Sequence, residues 1–325
     1  MKKFNILIAH VSYQAASGSF IKLLRNSSKF YFYIVGCDNI EKGFSSGSLL
    51  VDKFYHINED NSETYIDAIK KIIHDEKINV IISAEEDDLL KFKYYQISQA
   101  IYKFIPQKEI FNIFKDKYLA TQKISEYGIY VPYNIMNYNE FLHTNSTKLI
   151  KRKRISCCSR GITVFDRNEI NENYIFFSNE YITQEFINEA LYTVDVFCDK
   201  NGHPRSIIPR RDIAIKDGTT FKCEIEYRQE IIDICKKIYS IYCIPGLSNV
   251  QFIVDDKPYF IELNPRAAAT MIASALLSLN YMDLYISHFL LNENLPTYNE
   301  IMNSVKWGSI ISRYYEETIF IPGDE

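Results

Sequence analysis

The sequence predicts an α/β architecture that gives way to α+β, and three observations predict it. Apolar runs of strand length alternate with residues at helical spacing over the first hundred positions. Beyond them, strand-like runs follow one another across tight turns. The length of 325 residues allows about two domains. Composition is ordinary for a globular chain, with 47% hydrophobic and 24% charged residues, which excludes disordered, collagenous and coiled-coil classes.

Elements follow in order. Phe4 to Ala9 reads as a first strand, Tyr31 to Val35 as a second and Ile78 to Ile82 as a third, with Tyr65, Ile66, Ile69, Ile72 and Ile73 at helical spacing between the last two. This order implies a parallel sheet with helices on both faces. The turn after the first strand lacks G-x-G-x-x-G, so a dinucleotide site there is rejected. Glu85-Glu86-Asp87-Asp88 follows the third strand. It fits a helix N-terminus, where acids are favoured, better than it fits the ligand-binding edge of such a sheet. Asp116 to Tyr127 reads as a helix ended by Gly128, and Val131-Pro132 opens an extended segment. Lys148 to Arg154, Ile182 to Ile187, Leu191 to Cys198 and Ser206 to Pro209 read as strands, with a turn at Asn201-Gly202. Ile231 to Tyr242 reads as a helix, and Gln251 to Val254 with Tyr259 to Leu263 as a hairpin.

Charge and cysteine usage limit the function classes. The net charge of −4 speaks against a nucleic-acid-binding basic protein, and no apolar stretch reaches the roughly 18 residues that suggest a membrane span. Met1-Lys2-Lys3 leads into a strand rather than a signal peptide. Seven cysteines, odd in number and without C-x-x-C spacing, point to a reducing cytoplasm rather than to a disulfide framework or a zinc site. With only 11 glycines, a phosphate-cradling loop has to be built from other small residues.

Two constellations carry chemistry. On the hairpin, Glu262 and Asn264 share one strand face, and an antiparallel register sets Gln251 beside Glu262. One carboxylate and two amide oxygens suit Mg²⁺, with Arg266 next to them for phosphates. The same spacing fits an edge hairpin with a solvated polar face. The second constellation is Lys151, Arg152, Lys153 and Arg154 running into the small-residue loop Ser156-Cys157-Cys158-Ser159-Arg160-Gly161. Small side chains let backbone N–H groups reach phosphate oxygens, although a basic run also fits a solvated face.

Gly246 to Phe252 followed by Phe260-Ile261-Glu262-Leu263-Asn264-Pro265-Arg266 resembles the ATP-grasp superfamily, most nearly the ATP-grasp modules of the carbamoyl phosphate synthetase large subunit and related carboxylate–amine ligases. Lys115-Asp116-Lys117, Tyr181 to Ile187, Tyr192 to Val196 and Ile208 to Arg211 agree in order. The resemblance implies a Rossmann-like pre-ATP-grasp domain over residues 1–107, a small lid subdomain over 108–183 and a C-terminal subdomain with the metal and phosphate site over 184–325. It implies that Gln251, Glu262 and Asn264 hold Mg²⁺, with Mn²⁺ able to substitute. Arg266, Arg210 and Arg211 would face the phosphates and the acid being activated. Lys115, a strand cation (Lys151 or Arg152), Ser159 and Arg160 would hold ATP phosphates, and Gln184, Glu185, Phe186 and Ile187 the adenine. Relatives carry a nucleotide-contacting glutamate where this chain has Leu191, and Glu189 is the nearby substitute.

The activity so implied is an ATP-dependent carboxylate–amine ligation through an acyl phosphate, yielding ADP and phosphate. Its partners are a small carboxylic acid and an amine, with no nucleic acid or membrane; a homodimer is compatible with it. Two alternatives stand beside it. One is a subunit that phosphorylates bicarbonate or carbamate, the other an ATP-binding regulatory protein without catalysis.

Overall fold

A computed structural model describes residues 1–12, 14–58, 61–83, 85–97, 106–156, 161–216 and 218–323. The strands β1 (Lys2–Ala9), β2 (Phe30–Asp38), β3 (Lys53–His56) and β4 (Val80–Ile82) form a parallel sheet in the order β3-β2-β1-β4. Alternation along β1 sends Ile6 and Ile8 into one apolar cluster and Leu7 and Ala9 into another, so the sheet is buried on both faces. The helix Ser62–Asp75 starts with a capping box between Asn61 and Thr64, and buries Tyr65, Ile66, Ile69 and Ile72, as their spacing predicts. The edge strand β3 escapes a periodicity reading because it has only four residues, two of them exposed. After β4, Glu86, Asp87 and Asp88 occupy the first turn of the helix Glu86–Tyr94.

A second sheet contains β5 (Asn134–Ile135), β6 (Lys148–Lys153), β7 (Thr163–Asp166) and β8 (Tyr181–Glu185), ordered β5-β8-β6-β7 and antiparallel throughout. Beside it lies the helix Lys117–Ser125, whose N-terminus is capped by Asp116 accepting from the Tyr118 and Leu119 N–H groups. Gly128, at φ +69, follows its end and donates its N–H to the Ser125 carbonyl.

The third and largest sheet runs β13-β12-β9-β10-β11-β14, from β9 (Ala190–Cys198), β10 (Pro204–Lys216), β11 (Thr219–Ile225), β12 (Gly246–Val254), β13 (Pro258–Asn264) and β14 (Ile310–Ser312). Its apolar face packs on the helix Gln229–Tyr242 through Ile231, Cys235 and Ile238. The turn between β9 and β10 uses Gly202 at φ +80, where a Cβ would come within 2.3 Å of the Cys243 backbone. Strand β10 is far longer than Ser206 to Pro209. A proline followed by Arg210, Arg211 and Asp212 reads as a strand end, but Arg210 and Asp212 neutralise one another inside the sheet.

Candidate active site

The hairpin register is the one that sets Gln251 opposite Glu262 and Asn249 opposite Asn264. Asn264 Nδ2 donates to Glu262 Oε1 and to Asn249 Oδ1, both at 3.1 Å, and Asn249 Nδ2 donates to the Arg266 carbonyl at 3.1 Å. Gln251 Nε2 donates to Thr193 Oγ1 at 3.4 Å. The amide oxygens of Gln251 and Asn264 therefore stay without a donor among the described residues.

Facing Gln251 and Glu262 is the second sheet, while Asn264 is not among the residues that line the cleft. A cleft between the two sheets is lined on one side by Gln251 and Glu262 and on the other by Lys117 and Arg152. Lys117 Nζ lies 3.8 Å from Glu262 Oε2 and donates to the Ser156 carbonyl at 2.7 Å. Arg152 is buried, and burial pushes its guanidinium down to about 10, opposed by the charge of Glu262. Its Nε has no hydrogen-bond partner among the described residues. Its Nη2 donates to the Ile261 carbonyl at 3.5 Å, and such a buried cation suits an anionic partner. Gln184, Glu185, Phe186 and Ile187 form the cleft's rear edge, with Leu191, Ile253 and Ile261 giving it apolar walls.

The remaining sequence candidates distribute as follows. Lys115 ends the preceding helix, Lys108–Lys115, and pairs with Asp87 at 3.1 Å, outside the cleft. Asp116 caps the next helix, so the two lysines leave the chain in different directions, and Lys117 is the cation the cleft receives. Between Lys151 and Arg152, strand alternation decides. Arg152 faces the cleft, while Lys151 stacks over the rings of Tyr174 and Tyr181 at 5.1 and 5.2 Å. Glu189 is exposed and does not line the cleft, whereas Leu191 does. Ser159 and Arg160 lie outside the described residues, as do Cys157 and Cys158.

Neither arginine of β10 lines the cleft. Arg210 is wholly buried, with Nε 3.0 Å from Asp195 Oδ2 and Nη1 3.2 Å from Asp212 Oδ1. Burial lowers its affinity for a proton, but the two carboxylates outweigh this and hold its pKa above the ordinary value. The neighbouring Arg211 turns to the opposite face and pairs with Glu224 at 2.5 Å and Glu226 at 3.3 Å. Arg266 stands two residues past Asn264, with Nε 3.6 Å from Glu86 Oε1. Glu86, at the end of the first sheet, is pushed up by burial, against the lowering effect of Arg266 and Lys115.

The donor set fits Mg²⁺. Among the described residues no three His, Cys, Asp or Glu side chains form a metal-binding group, and a cation held here would take amide oxygens beside the Glu262 carboxylate. Hard oxygen donors in small number are what Mg²⁺ takes from proteins that leave the rest of its shell to water and phosphate.

Two antiparallel sheets close on a cleft with cations on one wall and oxygen donors on the other, an arrangement suited to the phosphates of a nucleotide and a divalent cation. Residues 114–270 match the model of the ATP-grasp domain. It is 25% identical over 224 residues to a tyramine–L-glutamate ligase of Methanocaldococcus fervens, covering 66% of this chain and 67% of that protein. Among solved structures, the biotin carboxylase domain of Hydrogenobacter thermophilus 2-oxoglutarate carboxylase superposes with a TM-score of 0.69 at 13% identity, over 94% of this chain and 73% of that one. N5-carboxyaminoimidazole synthetase of Staphylococcus aureus gives 0.67 at 14% identity, over 91% and 79%. These structures share the fold.

Proposed function

We propose that the protein is an ATP-dependent, ADP-forming carboxylate–amine ligase. The observation that carries this reading is the Gln251–Glu262 pair facing Lys117 and Arg152 across one cleft. The ligase relative supports it from sequence, acting by its name on an amine and an amino acid. In this reading residues 1–107 form a Rossmann-like domain, 108–183 the lid and 184–325 the subdomain bearing the metal site. No helix among the described residues is long and apolar enough to cross a membrane, and the need for ATP favours the cytoplasm as the place of action.

Glu262, Gln251 and Asn264 would hold Mg²⁺, or Mn²⁺ in its place, which would neutralise charge on the transferring phosphoryl group. Lys117 and Arg152 take phosphate oxygens from the opposite wall, and the 184–187 edge offers peptide groups to the adenine. Leu191, Ile253 and Ile261 enclose the base. Arg266 orients the acid. A carboxylate oxygen attacks the γ-phosphorus, the bond to the β-phosphate oxygen breaks, and ADP leaves. The amine lone pair then attacks the acyl carbon, forming C–N while phosphate departs with the C–O electron pair and the amine gives up a proton. Positioning and electrostatics supply the rate, without a protein nucleophile.

The test is ADP release measured against panels of amino acids, other carboxylic acids and amines, with product masses. Turnover that requires both an acid and an amine and yields an amide supports the ligase. Turnover that depends on bicarbonate alone, or nucleotide binding with no turnover on any pair, contradicts it.

A further inference from the structure

We propose that Thr193 is a positioning residue that fixes which end of the Gln251 amide faces the metal position, under the direction of the buried Arg210–Asp212 pair. The inference rests on the metal assignment made above.

Glu262, Gln251, Thr193 and Arg210 stand on one rung of four neighbouring strands, β13, β12, β9 and β10. A glutamine on such a rung has a choice. Its oxygen can coordinate a cation, whereas its NH₂ group, turned the same way, repels one. The hydroxyl of Thr193 has a single hydrogen, and donates it to Asp212 Oδ2 at 2.9 Å. With that hydrogen spent, Thr193 Oγ1 is left only to accept, and it accepts from Gln251 Nε2. The direction of the first bond therefore dictates the direction of the second and leaves the Gln251 oxygen toward Glu262. Asp212 acts as acceptor because Arg210 Nη1 at 3.2 Å and Thr220 Oγ1 at 2.9 Å supply its other oxygen with donors. Arg210 is itself clamped by Asp195 and by the hydroxyl of Thr270, the latter on the segment that carries Arg266. Sequence reasoning gives Arg210 a place at the phosphate. Its buried position gives it the task of orienting a ligand from behind, as outer-shell partners of metal ligands do.

The experiment reads Mg²⁺-dependent binding of ADP by calorimetry, with ADP alone as the reference, in wild type, Thr193→Val, Thr193→Ser, Gln251→Glu and the double variant. A carboxylate presents oxygen whichever way it turns, so Gln251→Glu removes the need for direction. Thr193→Val should weaken Mg²⁺-dependent binding about 10–100-fold, the range for outer-shell partners, with ADP alone unaffected. Thr193→Ser should restore it, and in the Gln251→Glu background the Thr193→Val change should cost less than about threefold. Thr193→Ala takes the place of Thr193→Val if the latter melts at a lower temperature. Unchanged Mg²⁺ dependence in the hydroxyl-less variant, failure of serine to rescue, or an equal loss in the Gln251→Glu background each overturns the proposal. A wild-type protein whose ADP binding ignores Mg²⁺ refutes instead the metal assignment beneath it.

Discussion

Lys117 and Glu262 face one another across the cleft, Nζ 3.8 Å from Oε2, although they belong to different sheets' surroundings. The ammonium, which also reaches the Ser156 carbonyl, thus connects the end of the basic strand with the carboxylate of the hairpin. In the proposed reading, Lys117 and Arg152 on this wall are the cations that take phosphate oxygens.

Lys117 rather than Lys115 is therefore expected to hold the nucleotide. Charge-assisted hydrogen bonds contribute about 1.5–3 kcal/mol, which is roughly tenfold to hundredfold in affinity. Lys117→Ala should raise the Kd for ADP by that factor in calorimetry, and Lys115→Ala should leave it within about twofold. The reverse ranking would reassign the phosphate cation.

Glu262 supplies the one anionic ligand of the proposed metal set. Glu262→Gln keeps the shape of the hairpin, so its melting temperature should stay close to that of wild type. Its Mg²⁺-dependent turnover should fall by about 10²–10³ or more, as for loss of an oriented group that offsets transition-state charge. Turnover within a few-fold of wild type would remove Glu262 from the site.

The register of this hairpin was legible in the sequence because strand alternation and a short Asp-Asp-Lys-Pro turn leave little freedom. The first sheet was legible for a similar reason, since Ile6 to Ala9 is an unbroken apolar run and Ile78 to Ile82 is interrupted only by Asn79. What the sequence hid were the contacts that run between elements. Nothing local distinguishes Lys115 from Lys117 until Asp116 is seen to cap a helix, although an N-cap aspartate before a helical segment was a usable signal. Arg210 could not be separated from Arg211 without knowing that Asp195 and Asp212 meet it inside the sheet. The short strands β3, β5 and β14 carry too few residues to show a period.

Arg210 leaves Asp195 and Asp212 buried without a counter-charge when it is removed. Arg210→Met should cost about 3–5 kcal/mol, the range for breaking a buried ion pair from one side, measured by urea denaturation. Burial already raises the pKa of Asp212, with Arg210 opposing the rise. In the variant that opposition is lost, so the folded state binds protons more readily than the unfolded one, and stability should fall as pH rises from the ordinary carboxylate range towards neutrality. A variant whose stability rises with pH over that window contradicts the pairing.

Asp116 gives the opposite sign. Burial pushes its carboxyl up, but the Arg154 guanidinium and the Leu119 and Tyr118 N–H groups outweigh this and hold it below its usual value. Its contribution is present above the ordinary carboxylate pKa and is lost as pH falls through the lowered folded value. Asp116→Asn retains a capping side chain and removes the charge. The difference in melting temperature between wild type and this variant should be largest near neutral pH and should close as the solution is acidified. A constant difference would mean that the charge plays no part.

The most direct measurement of the central claim is interception of the activated acid. With ATP, Mg²⁺ and a panel of carboxylic acids, hydroxylamine replaces the unknown amine and converts an acyl phosphate to a hydroxamate that is read colorimetrically and by mass. The account predicts hydroxamate and ADP in equal amounts with at least one acid, and a yield from Glu262→Gln lower by about 10²–10³. ADP formed without hydroxamate from any acid, or hydroxamate formed equally well by Glu262→Gln, would contradict it.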